Sequence, residues 1–151
     1  MKQKIFSVFM IFAVLISLAG CSIGQPEATV PQPASGQIFI GTAQAGPANL
    51  TVESTSGNAY YVKLKNQHNE DIFSFFVPAG ETVEIAVPQE PCYVYFASGR
   101  TWQGPELLFG EHTSYSKDPE LTDFGEYTVS YSFVPSADGN FSEVPVSADA
   151  F

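Results

Sequence analysis

The chain has 151 residues, a formal net charge of −10 and a pI near 4.3. That length accommodates one domain and a targeting segment. An acidic surface repels phosphate backbones, which argues against nucleic acid as a partner, and it also repels anionic lipid headgroups. Contact with a membrane therefore requires an attachment other than surface charge.

The first twenty residues have the anatomy of a signal peptide. Lys2 and Lys4 provide a positively charged start, residues 5–18 are apolar apart from two serines, and small residues follow. A membrane-spanning helix needs about 20 apolar residues, and this run is shorter. The pattern predicts a secretory signal peptide over residues 1–20, which directs the rest of the chain out of the cytoplasm.

The residues Leu18-Ala19-Gly20-Cys21 resemble a bacterial lipobox, in which a leucine and two small residues precede a cysteine. The resemblance implies cleavage between Gly20 and Cys21 and a diacylglyceryl group on the Cys21 thiol. Two acyl chains anchor a protein stably, whereas one chain does not. We therefore expect a lipoprotein on the extracytoplasmic face of the cell membrane, or on the outer membrane if the host has two. The alternatives are an ordinary signal peptide followed by a chance cysteine, or an uncleaved anchor.

Residues 21–36 are predicted to form a tether. They contain three prolines and two glycines among small and polar residues, and they show no apolar periodicity. Such a composition cannot bury enough apolar surface to offset the entropy of ordering. We expect a flexible or polyproline-like linker between the lipid on Cys21 and a folded domain over residues 37–151.

From residue 37 onward apolar and polar residues alternate, as they do in strands that bury one face. The alternation covers residues 50–53, 60–65, 82–87 and 127–133. The runs 72–77 and 92–97 are apolar on both faces, which predicts central strands or strands with one face under a loop. Turn residues separate the runs, and Asp138-Gly139-Asn140 predicts a hairpin.

About seven strands and no long helix predict an all-β fold, a small antiparallel β-sandwich of prealbumin-like or Ig-like type. Residues 77–99 resemble the strand–turn–strand pattern of prealbumin-like and carboxypeptidase-regulatory-like sandwiches. That resemblance implies an architecture and no activity.

Residues 99–125 break the alternation and predict one long irregular loop. Pro105 is placed to open a single helical turn through Leu108, and Gly110 to end it. The loop carries the only tryptophan, Trp102, together with Tyr115, and these rings could form a stacking platform for a sugar. In the alternative interpretation, which we favour, the loop aromatics cover the strands that are apolar on both faces. The stretch is similar to segments of uncharacterised bacterial surface domains, which imply no activity.

The cysteine and histidine residues predict no reactive centre. Cys92 lies in a predicted strand, where a buried, inert thiol is expected. His68 and His112 lie in turn or loop contexts, so a catalytic partner for Cys92 and a zinc site are both disfavoured. We expect no metal and no cofactor.

The acidic residues leave two possibilities open. Glu106, Glu111, Asp118 and Asp123 share the predicted loop, and their oxygens could bind calcium, although no EF-hand spacing occurs. Glu106 and Glu111 could instead serve a small hydrolase acting on cell-wall polymers. The favoured expectation is a non-enzymatic binding or structural module of the envelope, whose partner is an envelope protein or a glycan.

Overall fold

The computed structural model describes residues 30–55, 57–133 and 142–151. The predicted signal peptide, the Cys21 lipidation site and the hairpin at 138–140 lie outside the described residues, as do tether residues 21–29. The described residues contain ten strands: β1 Ile38–Ile40, β2 Leu50–Ser54, β3 Ala59–Asn66, β4 Asp71–Val77, β5 Thr82–Ile85, β6 Pro91–Gly99, β7 Ser114–Lys117, β8 Thr122–Asp123, β9 Val129–Phe133 and β10 Val144–Pro145. Two short 3₁₀ turns lie at Gly110–His112 and Ala148–Ala150.

The strands form two sheets. The larger sheet has the order β1-β4-β3-β6-β7-β10, with β8 pairing to the first residues of β6, and its strands pair antiparallel. The smaller sheet has the order β5-β2-β9, in which β2 pairs antiparallel with β5 and parallel with β9. The predicted small all-β sandwich is thus confirmed, with one parallel pairing that the alternation pattern does not encode.

The first hydrophobic core lies between the two sheets, because the strands of each sheet alternate inward and outward side chains. Leu50 and Val52 of the small sheet are fully buried, as are Val62, Phe73 and Phe75 of the large sheet. The polar residue Asn49 is also buried: its side chain accepts a hydrogen bond from Val87 N at 2.7 Å and donates to two backbone carbonyls, which ties the β5–β6 connection to β2.

A second hydrophobic core covers the opposite face of the large sheet. Its sheet residues are mainly Ala59, Tyr61, Phe76, Tyr95 and Ala97, and the covering residues come from the loop after β6 and from Phe151. This arrangement confirms the expectation for the runs 72–77 and 92–97, which are apolar on both faces because both faces are covered.

The predicted long loop is only partly irregular. Its second half contains β7 and β8, which extend the large sheet beside β6. Neither strand shows the alternation of apolar and polar residues by which β2, β3 and β5 were predicted. The residues of β7 are Ser, Tyr, Ser and Lys, and those of β8 are Thr and Asp. Within the described ranges, no helix is long and apolar enough to cross a bilayer.

Candidate functional site

The irregular part of the predicted loop, residues 100–113, is held on the large sheet by three buried side chains. Trp102, Leu108 and Phe109 are 6%, 6% and 2% exposed. The Trp102 ring lies 5.2 Å from Phe76 and 5.6 Å from Phe109 between centroids, both edge-on. These aromatic contacts bind the loop to the sheet as a second layer of core.

The burial of Trp102 bears on its two predicted roles. Its ring stacks on Tyr61 at 6.0 Å and contacts Phe39 at 5.6 Å, so protein side chains surround it. A sugar could stack on this indole only by displacing them. The geometry fits the covering role, whereas Tyr115 on β7 is half-buried and borders an open cleft.

The loop backbone makes a tight turn between Gln103 and Leu108. Leu108 N donates to Gly104 O at 2.7 Å, and Gln103 N donates to Leu108 O at 2.6 Å. Leu108 has φ of 52°, which is uncommon for a residue with a branched side chain, and its burial offsets the strain. The predicted turn from Pro105 to Leu108 is therefore present. Gly110 follows it with φ of 69° and also begins a 3₁₀ turn.

The close approach of the Phe109 side chain to the backbone of β6 explains why a glycine ends this strand. A Cβ added to Gly99 would lie 2.3 Å from the Phe109 Cβ, so only glycine lets Phe109 pack against the strand. The position of residues 100–113 on the sheet therefore depends on this small residue as well as on the aromatic anchors.

This anchoring leaves a concave surface beside the loop, here called the loop cleft. It is lined by Gln103, Glu106, Leu107, Gly110, Glu111, His112 and Tyr115, and its volume is about 570 Å³. Carboxylates accept hydrogen bonds, an amide donates and accepts, and a phenol ring offers an apolar face. Leu107 is 62% exposed, so the cleft lining also offers an apolar side chain to a ligand.

A second cleft adjoins the first and contains Arg100. It is lined by Asn58, Ser98, Gly99, Arg100, Thr101, Gln103, Phe109, His112 and Ser114, and its volume is about 550 Å³. Gln103 and His112 border both clefts, so the two form one continuous polar surface around the loop. One part is acidic, and the other carries a guanidinium group.

The four acids proposed for calcium do not converge. Glu106 and Glu111 line the loop cleft, whereas Asp118 accepts hydrogen bonds from the Tyr131 hydroxyl at 2.7 Å and from Glu120 N at 2.9 Å. Asp123 accepts one from Gly125 N. Among the described residues, no group of three or more histidine, cysteine or acidic side chains could hold a metal ion.

The remaining candidate residues lie away from the loop cleft. Cys92 is fully buried in the core between the sheets, as predicted, and desolvation raises the pKa of its thiol to about 12, with smaller contributions from Glu90 and Asp123. A thiol held in its neutral form is a poor nucleophile. His68 lies in the β3–β4 turn, where its backbone N–H is bonded to Asn66.

Sequence patterns identified only part of this surface. Glu106, Glu111 and Tyr115 were predicted, but Gln103, Leu107 and His112 were not assigned to a site. Their only signal is membership of the same non-alternating segment. The turn after Pro105 was predicted, but the left-handed backbone of Leu108 within it has no sequence signature.

The comparisons with known proteins add no relative to this description. No family model matches the chain, and no curated protein or solved structure matches it either.

Proposed function

We propose that this chain is a lipid-anchored envelope protein whose β-sandwich binds a hydroxyl-rich ligand, such as a glycan, in the loop cleft. The lipobox-like residues Leu18 to Cys21 support the anchor, because they follow a positively charged start and a short apolar run in the required order. The acidic composition gives the anchor its role, since such a domain has little electrostatic attraction for a bilayer and stays on one only through another attachment.

The observation that carries the binding proposal is the composition of the loop cleft. Glu106, Glu111, Gln103 and His112 present donors and acceptors to one concave surface, beside the ring of Tyr115. Sugar hydroxyls both donate and accept, so such a mixed set suits them, and an apolar ring face suits the C–H face of a pyranose. The volume of about 570 Å³ accommodates one or two sugar units.

The second candidate function is hydrolysis of a wall polymer. The observation in its favour is that Glu106 and Glu111 line the same cleft, as a pair of catalytic carboxylates would. The observation against it is that both side chains are exposed, whereas a general-acid carboxyl is typically sheltered in an apolar pocket. Binding without turnover therefore fits the geometry better.

The test is calorimetric titration of the purified chain with a peptidoglycan disaccharide-peptide and with a neutral hexose disaccharide. If the cleft is the site, Glu106→Gln should weaken binding about tenfold, since a hydrogen bond to a charged group contributes roughly 1.5 kcal/mol. Tyr115→Ala should weaken it similarly. Glu126→Gln and Tyr127→Ala are matched controls, because both residues are exposed and lie outside the cleft.

Three results would contradict the proposal or replace it. Failure of both sugars to bind would contradict glycan binding. Equal losses of sugar affinity in the cleft variants and the control variants would show that the sugar binds elsewhere. Release of soluble sugar from wall polymer, lost in Glu111→Gln, would replace binding with hydrolysis.

A further inference from the structure

The last ten residues of the sequence, 142–151, are attached to the large sheet chiefly through one side chain. Eight of the ten are exposed, Val146 is half-buried, and Phe151 is 8% exposed. Two residues of the segment form β10, at the edge of β7, and Val146 N donates to Tyr115 O at 3.1 Å. Phe151 is therefore the anchor of an otherwise exposed segment.

Phe151 occupies a pocket built by three neighbouring strands, here called the Phe151 pocket. Its ring lies 6.2 Å from Tyr61 of β3, 6.3 Å from Tyr95 of β6 and 5.1 Å from Tyr115 of β7. The strands pair in register independently of the segment, with Tyr61 opposite Ala97 and Ala97 opposite Tyr115. The walls of the pocket would therefore stay in place if the segment left.

Two lysines complete the pocket and bind the backbone of the segment. Lys63 Nζ donates to Phe151 O at 2.9 Å and lies 4.3 Å from the centre of the Phe151 ring. Lys65 Nζ donates to Ala150 O at 3.3 Å. Such a pocket can recognise a peptide segment. Its rings contact an aromatic side chain, and its ammonium groups donate hydrogen bonds to the carbonyl groups of the adjacent main chain.

The charge of the pocket complements an acidic peptide. Among the residues that the structure describes, Lys63 and Lys65 form ion pairs with the same carboxylate, Asp71, at 3.1 and 3.6 Å, so two positive charges face one negative charge. Beyond residue 20 the sequence has four basic residues against sixteen acids, and three of the four lie on this face: Lys63, Lys65 and Lys117. Residues 142–151 carry two acids and no base.

We propose that the Phe151 pocket is a peptide-binding site that takes an aromatic side chain and the adjacent carbonyl or carboxylate oxygens of an acidic segment in a partner protein. Residues 142–151 occupy the site in the free protein and compete with that partner. A tethered competitor acts at an effective concentration in the mM range, so an external peptide binds weakly until the segment is displaced. The two proposed sites share one residue, Tyr115, which lines the loop cleft and also contacts the Phe151 ring, so the variants that test this proposal leave Tyr115 unaltered.

The experiment titrates a fluorescent peptide with the sequence of residues 142–151 into the full chain. Phe151→Ala leaves the pocket walls and removes the internal anchor, so this variant should bind the peptide about tenfold or more tightly than the unaltered chain. A control peptide carrying Phe151→Ala should bind neither protein. Adding Lys63→Met to the Phe151→Ala chain should lower the affinity about tenfold, because the donor to the peptide carbonyl is lost. Arg100→Met, which removes a cation outside the pocket, should change nothing.

Several outcomes would overturn the proposal. A folded Phe151→Ala chain that binds the peptide no better than the unaltered chain would do so. So would a dimer of the unaltered chain in which each Phe151 occupies its neighbour's pocket, because the occupant would then be a second copy. If Phe151→Ala does not fold, amide hydrogen exchange on the unaltered chain tests whether residues 142–151 can leave the pocket. Exchange of the Phe151 amide much faster than that of Phe96 supports a displaceable segment, and equally slow exchange contradicts one.

Discussion

Replacing Trp102 with alanine tests whether the loop is held on the sheet by its aromatic residues. Trp102 is 6% exposed and contacts four rings, those of Phe39, Tyr61, Phe76 and Phe109. Truncating a buried tryptophan costs about 3–5 kcal/mol in transfer and cavity terms. For a domain of this size, such a loss lowers Tm by roughly 10–20 °C.

The assay is urea and thermal unfolding followed by far-UV circular dichroism, since the variant lacks the only tryptophan and its fluorescence signal. Leu107→Ala is the matched control: it lies in the same turn but is 62% exposed, and it should change stability by less than about 0.5 kcal/mol. A Trp102→Ala variant within 1 kcal/mol of the unaltered chain would contradict the packing argument. It would indicate that the indole is available for a ligand.

Three other substitutions test the core and the thiol. Gly99→Ala should destabilise by about 1–3 kcal/mol through overpacking against Phe109, whereas Gly57→Ala, with nothing within 4 Å of its added Cβ, should not; equal unfolding midpoints would contradict the close-contact argument. Asn49→Ala leaves buried backbone groups without their side-chain partner and should cost about 1–3 kcal/mol in urea unfolding, so an unchanged midpoint would show that this hydrogen-bonded link is dispensable. Cys92 should resist iodoacetamide at pH 8 until the chain unfolds, as located by peptide mass spectrometry, and rapid native labelling would contradict its burial. Burial raises the pKa of the Cys92 thiol to about 12 in the folded state, so the unfolded chain loses this proton at lower pH than the folded chain does. The protonated thiol therefore contributes fully to the free energy of unfolding below the ordinary thiol pKa, and this contribution declines as the pH rises from there toward about 12. Cys92→Ala should reduce this loss of stability at alkaline pH.

Alternation predicted strands whose apolar side chains face the core on one side. β2, β3 and β5 follow period-two patterns, and β4 and β6 follow continuous apolar runs because both of their faces are covered. β7 and β10 were not predicted, since their side chains are mainly exposed or half-buried and the composition carries no apolar face. The parallel pairing of β2 with β9 joins segments far apart in the chain, which a local pattern cannot specify.

The site was predictable only in outline. Glu106, Glu111 and Tyr115 were identified as chemical possibilities, but their arrangement in one cleft depends on the left-handed turn at Leu108 and on the contact of Phe109 with Gly99. The Phe151 pocket was not predicted, because it combines side chains from three strands with a segment distant in sequence.

We propose that a lipid on Cys21 attaches the acidic β-sandwich to the envelope. Mass spectrometry of the N-terminal peptide of the protein purified from its native host is the decisive experiment. We expect a peptide that begins at Cys21 and carries a diacylglyceryl thioether. A peptide that retains residues before position 21, or one with a free thiol there, would contradict it.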